Sequence, residues 1–154
     1  MSAFTSRPDC GKVFIEQNHI IWEVDQKILI DLDISRIVTL GEYTTIHALH
    51  RNEWFIVFIY SEEETYQISA YAEGMQQALE KMSQFLSYEI CVKLALKTDF
   101  CSNILWPQEL AGSELYELRV IESKRFFDRF RARLGFGNPL ELVLNSKLRE
   151  LIQG

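Results

Sequence analysis

Short runs of β-branched and aromatic residues, separated by turn residues, dominate the first half of the chain. Runs of this kind are typical of the strands of an antiparallel meander. Six strands are predicted: Lys12–Glu16, Ile20–Val24, Lys27–Leu32, Arg36–Leu40, Trp54–Tyr60 and Thr65–Ala70. The Trp54–Tyr60 run is apolar at positions that face both sides of a strand, so we expect it at the centre of a sheet that is covered on both sides.

The spacing of apolar residues changes to three and four after Gly74, which predicts an amphipathic helix over residues 75–88. Ile90–Leu96 alternates between apolar and other residues, and this pattern predicts a further strand with one solvated face. Thr98–Ser113 contains several turn residues and is predicted to be a loop, whereas Leu115–Ile121 is predicted to be a last strand.

Two helices are predicted near the end of the chain. Ser123 is a favourable N-cap for a helix over Lys124–Leu134, and Gly135 follows at the position where helices commonly end. Pro139 suits the first turn of a final helix that runs to about Ile152, because the missing N–H has no partner there in any case.

These elements predict one α+β domain over residues 1–154. A sheet-rich body, residues 12–121, contains a mainly antiparallel, curled sheet of six to eight strands with a helix after the sixth strand. Residues 122–154 form a basic helical segment. The number of strands in residues 12–88 also favours a pleckstrin-homology-like roll. Because 47% of the residues are hydrophobic and 25% are charged, the chain belongs to the globular rather than the disordered class.

The composition also bears on where the protein works. No apolar run approaches the length of a membrane-spanning helix, and the first nine residues lack the basic flank and apolar region of a signal peptide. Cys10, Cys91 and Cys101 are odd in number and lack CxxC spacing, which predicts free thiols rather than disulfides or a zinc site. We therefore expect a cytoplasmic protein without a cofactor or a transmembrane segment.

Charge is divided unevenly along the chain. Residues 1–121 carry 9 basic and 18 acidic side chains, a net charge of −9, whereas residues 122–154 carry 7 basic and 4 acidic side chains, a net charge of +3. An acidic body repels phosphate backbones, so nucleic acid is disfavoured as a partner.

The first candidate site is the Asp-x-Asp pair that ends the run Ile28–Asp33. This run resembles the first motif of haloacid-dehalogenase-type phosphotransferases, a hydrophobic strand followed by Asp-Leu-Asp-Gly-Thr. The resemblance covers about six residues, and Ile34 stands where the motif has glycine. On a strand Asp31 and Asp33 point to the same face, a spacing that can share a metal ion or divide the roles of nucleophile and acid. In the alternative interpretation both carboxylates form the solvated half of a strand whose inner half is Ile28, Ile30, Leu32 and Ile34.

The second candidate is the pair His47 and His50, with Glu53 three residues further on. On a helical turn these side chains share a face and can ligate zinc, but on a strand the two histidines point to opposite sides. The neighbouring residues favour a strand and a turn, so a solvated histidine pair is the preferred interpretation.

The third candidate is the predicted helix Lys124–Leu134, whose apolar side and arginine-rich remainder form a basic amphipathic pattern. Such a helix can bind a partner protein or an anionic membrane, or it can pack its phenylalanines on the sheet of its own molecule. A separate apolar stretch, residues 104–107, contains Trp106 and is either a contact surface or a plug over one end of the sheet. The candidate binding residues are Arg125, Phe126, Arg129, Phe130, Arg133 and Trp106.

No phosphate-binding loop, nucleophile elbow or zinc-protease motif is present in the sequence. We therefore predict a non-enzymatic module that binds a partner protein or forms a homo-oligomer, through the C-terminal helices or an edge of the sheet. Two alternatives stay open. One is a small-molecule binder or enzyme with a cavity near Asp31, Asp33, His47 or His50, and the other is peripheral membrane attachment through the Phe/Arg helix.

Overall fold

A computed structural model describes residues 4–45, 53–120 and 140–154. The strands of these residues are β1 Lys12–Glu16, β2 His19–Val24, β3 Lys27–Asp33, β4 Thr39–Thr44, β5 Trp54–Ile59, β6 Thr65–Ser69, β7 Cys101–Trp106, β8 Tyr116–Val120 and β9 Leu140–Leu144. The helices are α1 Met75–Leu86 and α2 Ser146–Gln153. All strand pairs within the sheets are antiparallel, which confirms the predicted α+β class.

The first sheet has three strands in the order β1-β2-β3. Its two hairpins turn through the two-residue stretches Gln17-Asn18 and Asp25-Gln26. Asp25 and Gln26 both have positive φ angles, 51° and 66°, which suit the right-handed twist of a two-residue hairpin. Local turn chemistry therefore determines the register of the strand pairs next to each hairpin.

The second sheet has four strands in the order β6-β5-β4-β7. β5 is an interior strand, and five of its six residues are buried. The predicted central position of the Trp54–Tyr60 run is confirmed, with the strand itself ending at Ile59. β8 and β9 form a separate two-stranded sheet.

Two hydrophobic cores lie on opposite faces of the four-stranded sheet, because alternate residues of β4 and β5 belong to different cores. The first core includes Leu40, Trp54 and Phe58 and extends to the three-stranded sheet and to α1. The second core contains Tyr43, Val57, Ile59, Ile104, Leu115, Leu144 and Leu148. α1 contributes the buried residues Met75, Ala78, Leu79 and Met82 to the first core, in agreement with the predicted helix.

The strand predicted for Ile90–Leu96 is wrong, because these residues form no strand. Leu94 is buried in the first core and Leu96 is exposed. The backbone N–H of Lys93 donates to the carboxylate of Glu42 at 2.7 Å. This segment is thus attached to the four-stranded sheet by a hydrogen bond to a side chain, and not by backbone pairing with a neighbouring strand.

The predicted loop Thr98–Ser113 is also partly wrong, since it contains β7, which pairs with β4. The chain after β7 folds back along the strand: Ile104 N–H donates to Ser113 at 2.8 Å, and Gly112 N–H donates to Ile104 at 2.9 Å. The strand predicted for Arg36–Leu40 begins later, at Thr39, because a single 3-10 turn occupies Ile34–Arg36.

The C-terminal part differs from the prediction at its start and agrees at its end. Leu140–Leu144 is a strand that pairs with β8, so the helix expected from Pro139 to about Ile152 does not include these residues. The chain does end in a helix, α2, whose N-cap Asn145 accepts from the N–H of Lys147 at 2.8 Å. The predicted helix Lys124–Leu134 lies outside the described residues. None of the described helices is long and apolar enough to cross a membrane.

Candidate functional site

The segment Lys27 to Asp31 of β3, in which every residue except the half-buried Ile30 is exposed, is here called the β3 edge patch. β3 lies at the edge of the three-stranded sheet formed by the described residues. Within the patch, 61% of Ile28 and 55% of Leu29 are exposed to solvent. Two large apolar residues are thus adjacent and solvated on an edge strand, where unpaired backbone groups can accept another strand.

An irregularity in the pairing of β3 with β2 explains this exposure. Ile28 lies opposite Glu23 and Ile30 lies opposite Trp22, so Leu29 has no partner residue in β2. One extra residue in a strand changes which side chains face the core. The predicted inner position of Ile28 is therefore wrong, whereas Leu32 and Ile34 are buried as expected.

Asp31, at the end of the β3 edge patch, pairs with a residue that the sequence did not single out. The Nδ1 atom of His19 lies 2.6 Å from Oδ1 of Asp31, and both side chains are about half exposed. His19 lies opposite Asp33 on the neighbouring strand, and Asp31 stands two residues before Asp33, so the contact is a diagonal cross-strand pair. The interaction joins β2 to β3 at the surface.

Asp33 serves a different local purpose. Its Oδ1 atom accepts from the backbone N–H of Ser35 at 2.9 Å and from the Ser35 hydroxyl at 2.7 Å, which caps the 3-10 turn after β3. These hydrogen bonds, chiefly that of the hydroxyl, lower the pKa of Asp33 below its ordinary value. Asp31 and Asp33 thus have separate partners, and this geometry favours the solvated-strand interpretation over a shared catalytic role.

The remaining sequence-predicted residues are distributed as follows. His47 and His50 lie outside the described residues, and Glu53 accepts a hydrogen bond from the Thr45 hydroxyl. Trp106 is half-buried at the end of β7 and packs against the first core. The candidate binding residues of the C-terminal segment, Arg125, Phe126, Arg129, Phe130 and Arg133, also lie outside the described residues. Among the residues that the structure describes, no three His, Cys, Asp or Glu side chains are grouped closely enough to hold a metal ion.

An open cleft of about 390 Å³ lies beside the tip of the β2–β3 hairpin. Its lining residues are Ser6, Arg7, Pro8, Gly11, Lys12, Glu23, Asp25, Gln26 and Glu73. Lys12 is paired with Glu23 at 3.8 Å, and the Arg7 guanidinium lies 4.0 Å from the centre of the Tyr71 ring. Small-molecule sites are usually concave and mainly apolar, so this polar cleft fits a surface feature better than a ligand pocket.

A cluster of aromatic and charged side chains connects the end of β3 to the four-stranded sheet. The Arg36 guanidinium lies 4.4 Å from the centre of the Tyr60 ring and 3.5 Å from the Glu64 carboxylate. The Tyr66 hydroxyl donates to the same carboxylate at 2.9 Å, and this hydrogen bond raises the pKa of Tyr66. The Tyr60 hydroxyl donates to the carbonyl of Asp33 at 3.0 Å. These contacts support the base of β3 and leave its outer edge uncovered by described residues.

Comparisons with protein-family models, with curated proteins and with solved structures find no match for this chain. The pleckstrin-homology-like roll and the phosphotransferase motif therefore stay predictions from the sequence.

Proposed function

We propose that this protein is a non-enzymatic binding module that engages an extended segment of a partner protein along β3. One observation carries the proposal: the β3 edge patch exposes most of Ile28 and Leu29 on the outermost strand of its sheet. A partner strand that adds to such an edge gains main-chain hydrogen bonds, and its alternate side chains contact the apolar patch.

The apolar patch supplies a physical reason for binding. Removing apolar surface from water contributes about 25 cal/mol per Å². Ile28 and Leu29 are the only two large exposed hydrophobic residues that are adjacent in the described part of the chain; the others, such as Leu96, are separate. Affinity at this edge should therefore depend on these two side chains.

Charged residues flank the apolar pair and supply specificity. Lys27 precedes Ile28, and Asp31 follows Ile30. Charges on an edge strand repel a strand of unsuitable sequence, and cross-strand pairs of opposite charge stabilise a suitable one. We therefore expect a partner segment with apolar residues between charges of opposite sign.

One other surface belongs to the same proposal, with two possible occupants and without support from the described residues. The basic segment 122–154 has a net charge of +3, which suits an acidic partner or an anionic membrane. These alternatives differ from edge binding in one respect that is easy to measure, because they do not depend on Leu29.

Selection from a library of displayed random 12-residue peptides tests the proposal. We expect the selected peptides to contain alternating apolar residues and to bind the Leu29→Asp variant at least about tenfold more weakly than the wild type. Leu96→Asp is the matched control, because Leu96 is 95% exposed in a segment outside the sheets. Peptides that bind both variants equally, or a library that yields no binders, would contradict the edge-binding function.

A further inference from the structure

We propose that the segment bound along β3 carries a basic residue beside Asp31, and that His19 competes with this residue in a pH-dependent way. The inference rests on the proposed function and adds two things to it, the charge of the partner and the regulation of binding. Protonation of His19 weakens the binding of a basic segment, and loss of the proton strengthens it.

His19 is surrounded by acidic side chains from both neighbouring strands. It lies directly opposite Glu16 of β1 and directly opposite Asp33 of β3. Residues that are directly opposite in an antiparallel pair point to the same face of the sheet. Asp31 extends on this face too, because its Oδ1 atom lies 2.6 Å from Nδ1 of His19. Three carboxylates therefore face one imidazole ring.

Asp31 is also within reach of a strand that adds to β3. β3 is an outer strand of its sheet in the described part of the chain, and 53% of the Asp31 side chain is exposed despite the His19 contact. The pairing of β3 with β2 is regular from Ile30 to Asp33, so the extra residue at Leu29 does not disturb this end of the strand. Opposite Cβ atoms on neighbouring strands lie about 5 Å apart, which brings a Lys or Arg of the added strand to the Asp31 carboxylate.

The charges at this end of β3 determine the kind of partner. Asp31 and Asp33 lie on the same face, and like charges directly across two strands are destabilising. An acidic residue of the partner would therefore be repelled beside Asp31, whereas a basic residue would form an ion pair there.

The charge of His19 regulates this preference. The charge of an ordinary histidine changes between about pH 5 and pH 8. Charged His19 compensates the Asp31 carboxylate and repels a basic residue of the partner. Neutral His19 leaves the negative charge of Asp31 to the partner. The affinity for a basic segment should therefore rise as the pH rises through this range.

Peptides from the random library provide the probes, selected at about pH 7.5 and chosen to contain Lys or Arg, no His and blocked termini. Exposed charge pairs change an affinity only a few-fold, and salt screens them, so the measurement needs low ionic strength. By fluorescence anisotropy the wild type should bind these peptides about threefold more tightly at about pH 7.5 than at about pH 5.5. The same peptides with Gln in place of Lys and Arg should bind equally at both pH values.

Three variants assign the effect to His19 and Asp31. His19→Gln keeps a hydrogen-bond donor beside Asp31 but is neutral throughout, so its affinity for the basic peptides should not change with pH. The double variant His47→Gln/His50→Gln is the matched control, because it removes the other two histidines of the chain and should keep the pH effect. Asp31→Asn should bind the basic peptides about threefold more weakly at about pH 7.5 and leave the binding of the Gln peptides unchanged.

The outcomes separate this inference from the proposed function. Selected peptides without an excess of Lys and Arg, equal affinities of the wild type at the two pH values, or a pH effect that survives in His19→Gln would each overturn the inference. If such peptides still depend on Leu29, edge binding stands without regulation by His19. A library that yields no Leu29-dependent binders would overturn both.

Discussion

Glu42 of β4 is fully buried, and its carboxylate accepts three hydrogen bonds. The donors are the Trp54 indole N–H at 3.0 Å, the Asn103 side-chain amide at 2.9 Å and the Lys93 backbone N–H at 2.7 Å. Burial of such a group is tolerated only when its oxygens have partners. One side chain therefore joins β4, β5, β7 and the segment around Lys93.

Glu42→Gln tests the contribution of this carboxylate to stability. An amide has one acceptor oxygen and one donor nitrogen, so at least one of the three donors would face another donor. We expect the free energy of unfolding to fall by roughly 1–3 kcal/mol, measured by urea denaturation. Glu80→Gln on the exposed surface of α1 is the control and should change it by less than about 0.5 kcal/mol. Equal stability of Glu42→Gln and the wild type would contradict the role of this network.

Gly74 precedes α1 and shows how tightly this helix is connected to β1. Its φ angle is +88°, and a Cβ atom there would lie 2.4 Å from the carbonyl oxygen of Val13. The neighbouring residue Glu73 donates its N–H to Gly11 at 2.8 Å and accepts from the N–H of Val13 at 2.7 Å. The entry to α1 thus lies directly against the start of the three-stranded sheet.

Gly74→Ala and Gly112→Ala form a matched pair of variants. Gly112 has a similar φ angle, +90°, but a Cβ atom there would have only the end of the Lys93 side chain nearby, at 3.6 Å. We expect Gly112→Ala to destabilise the fold by about 1–2 kcal/mol through backbone strain alone. Gly74→Ala should destabilise it more, because a steric clash with backbone is added. Equal urea midpoints for the two variants would contradict this prediction, because they would show that relieving the clash costs little free energy.

Elements whose residues are held by local interactions were predictable from the sequence. The hairpins of β1, β2 and β3 follow from two-residue turns, and α1 follows from its apolar spacing. The segment Ile90–Leu96 has an alternating pattern but no strand, because Glu42, distant in sequence, accepts its backbone N–H. β7 was missed because turn residues surround it and its pairing with β4 spans about sixty residues.

The candidate site was predictable in composition but not in position. The sequence singles out Asp31 and Asp33 as candidates, whereas the exposed apolar residues are Ile28 and Leu29 beside them. The single extra residue of β3 causes this difference, and an alternating pattern carries no signal for it. The contact of His19 with Asp31 was missed for a related reason, since it depends on the register of two strands.

At the scale of the whole molecule, the two cores share one sheet. The first core lies between the four-stranded sheet, α1 and the three-stranded sheet, and the second lies against β8, β9 and α2. β4, β5 and β7 contribute residues to both cores. Loss of either core therefore weakens strands that the other core needs.

Met82→Ala and Leu148→Ala test this coupling, because each residue is fully buried in a different core. Each substitution should lower the free energy of unfolding by about 2–5 kcal/mol. For both variants, tryptophan fluorescence and far-ultraviolet circular dichroism should report a single, coincident urea transition. Two separated transitions would show that the cores unfold independently and would contradict the prediction of one domain.

The position of β7 has a consequence during synthesis of the chain. β4 lies inside its sheet only after Cys101–Trp106 has paired with it. The face that carries Tyr43, Val57 and Ile59 is not fully covered until Leu144 and Leu148 have left the ribosome. A nascent chain of about one hundred residues therefore has both an unpaired strand edge and an exposed apolar surface. These two features promote chaperone binding and aggregation.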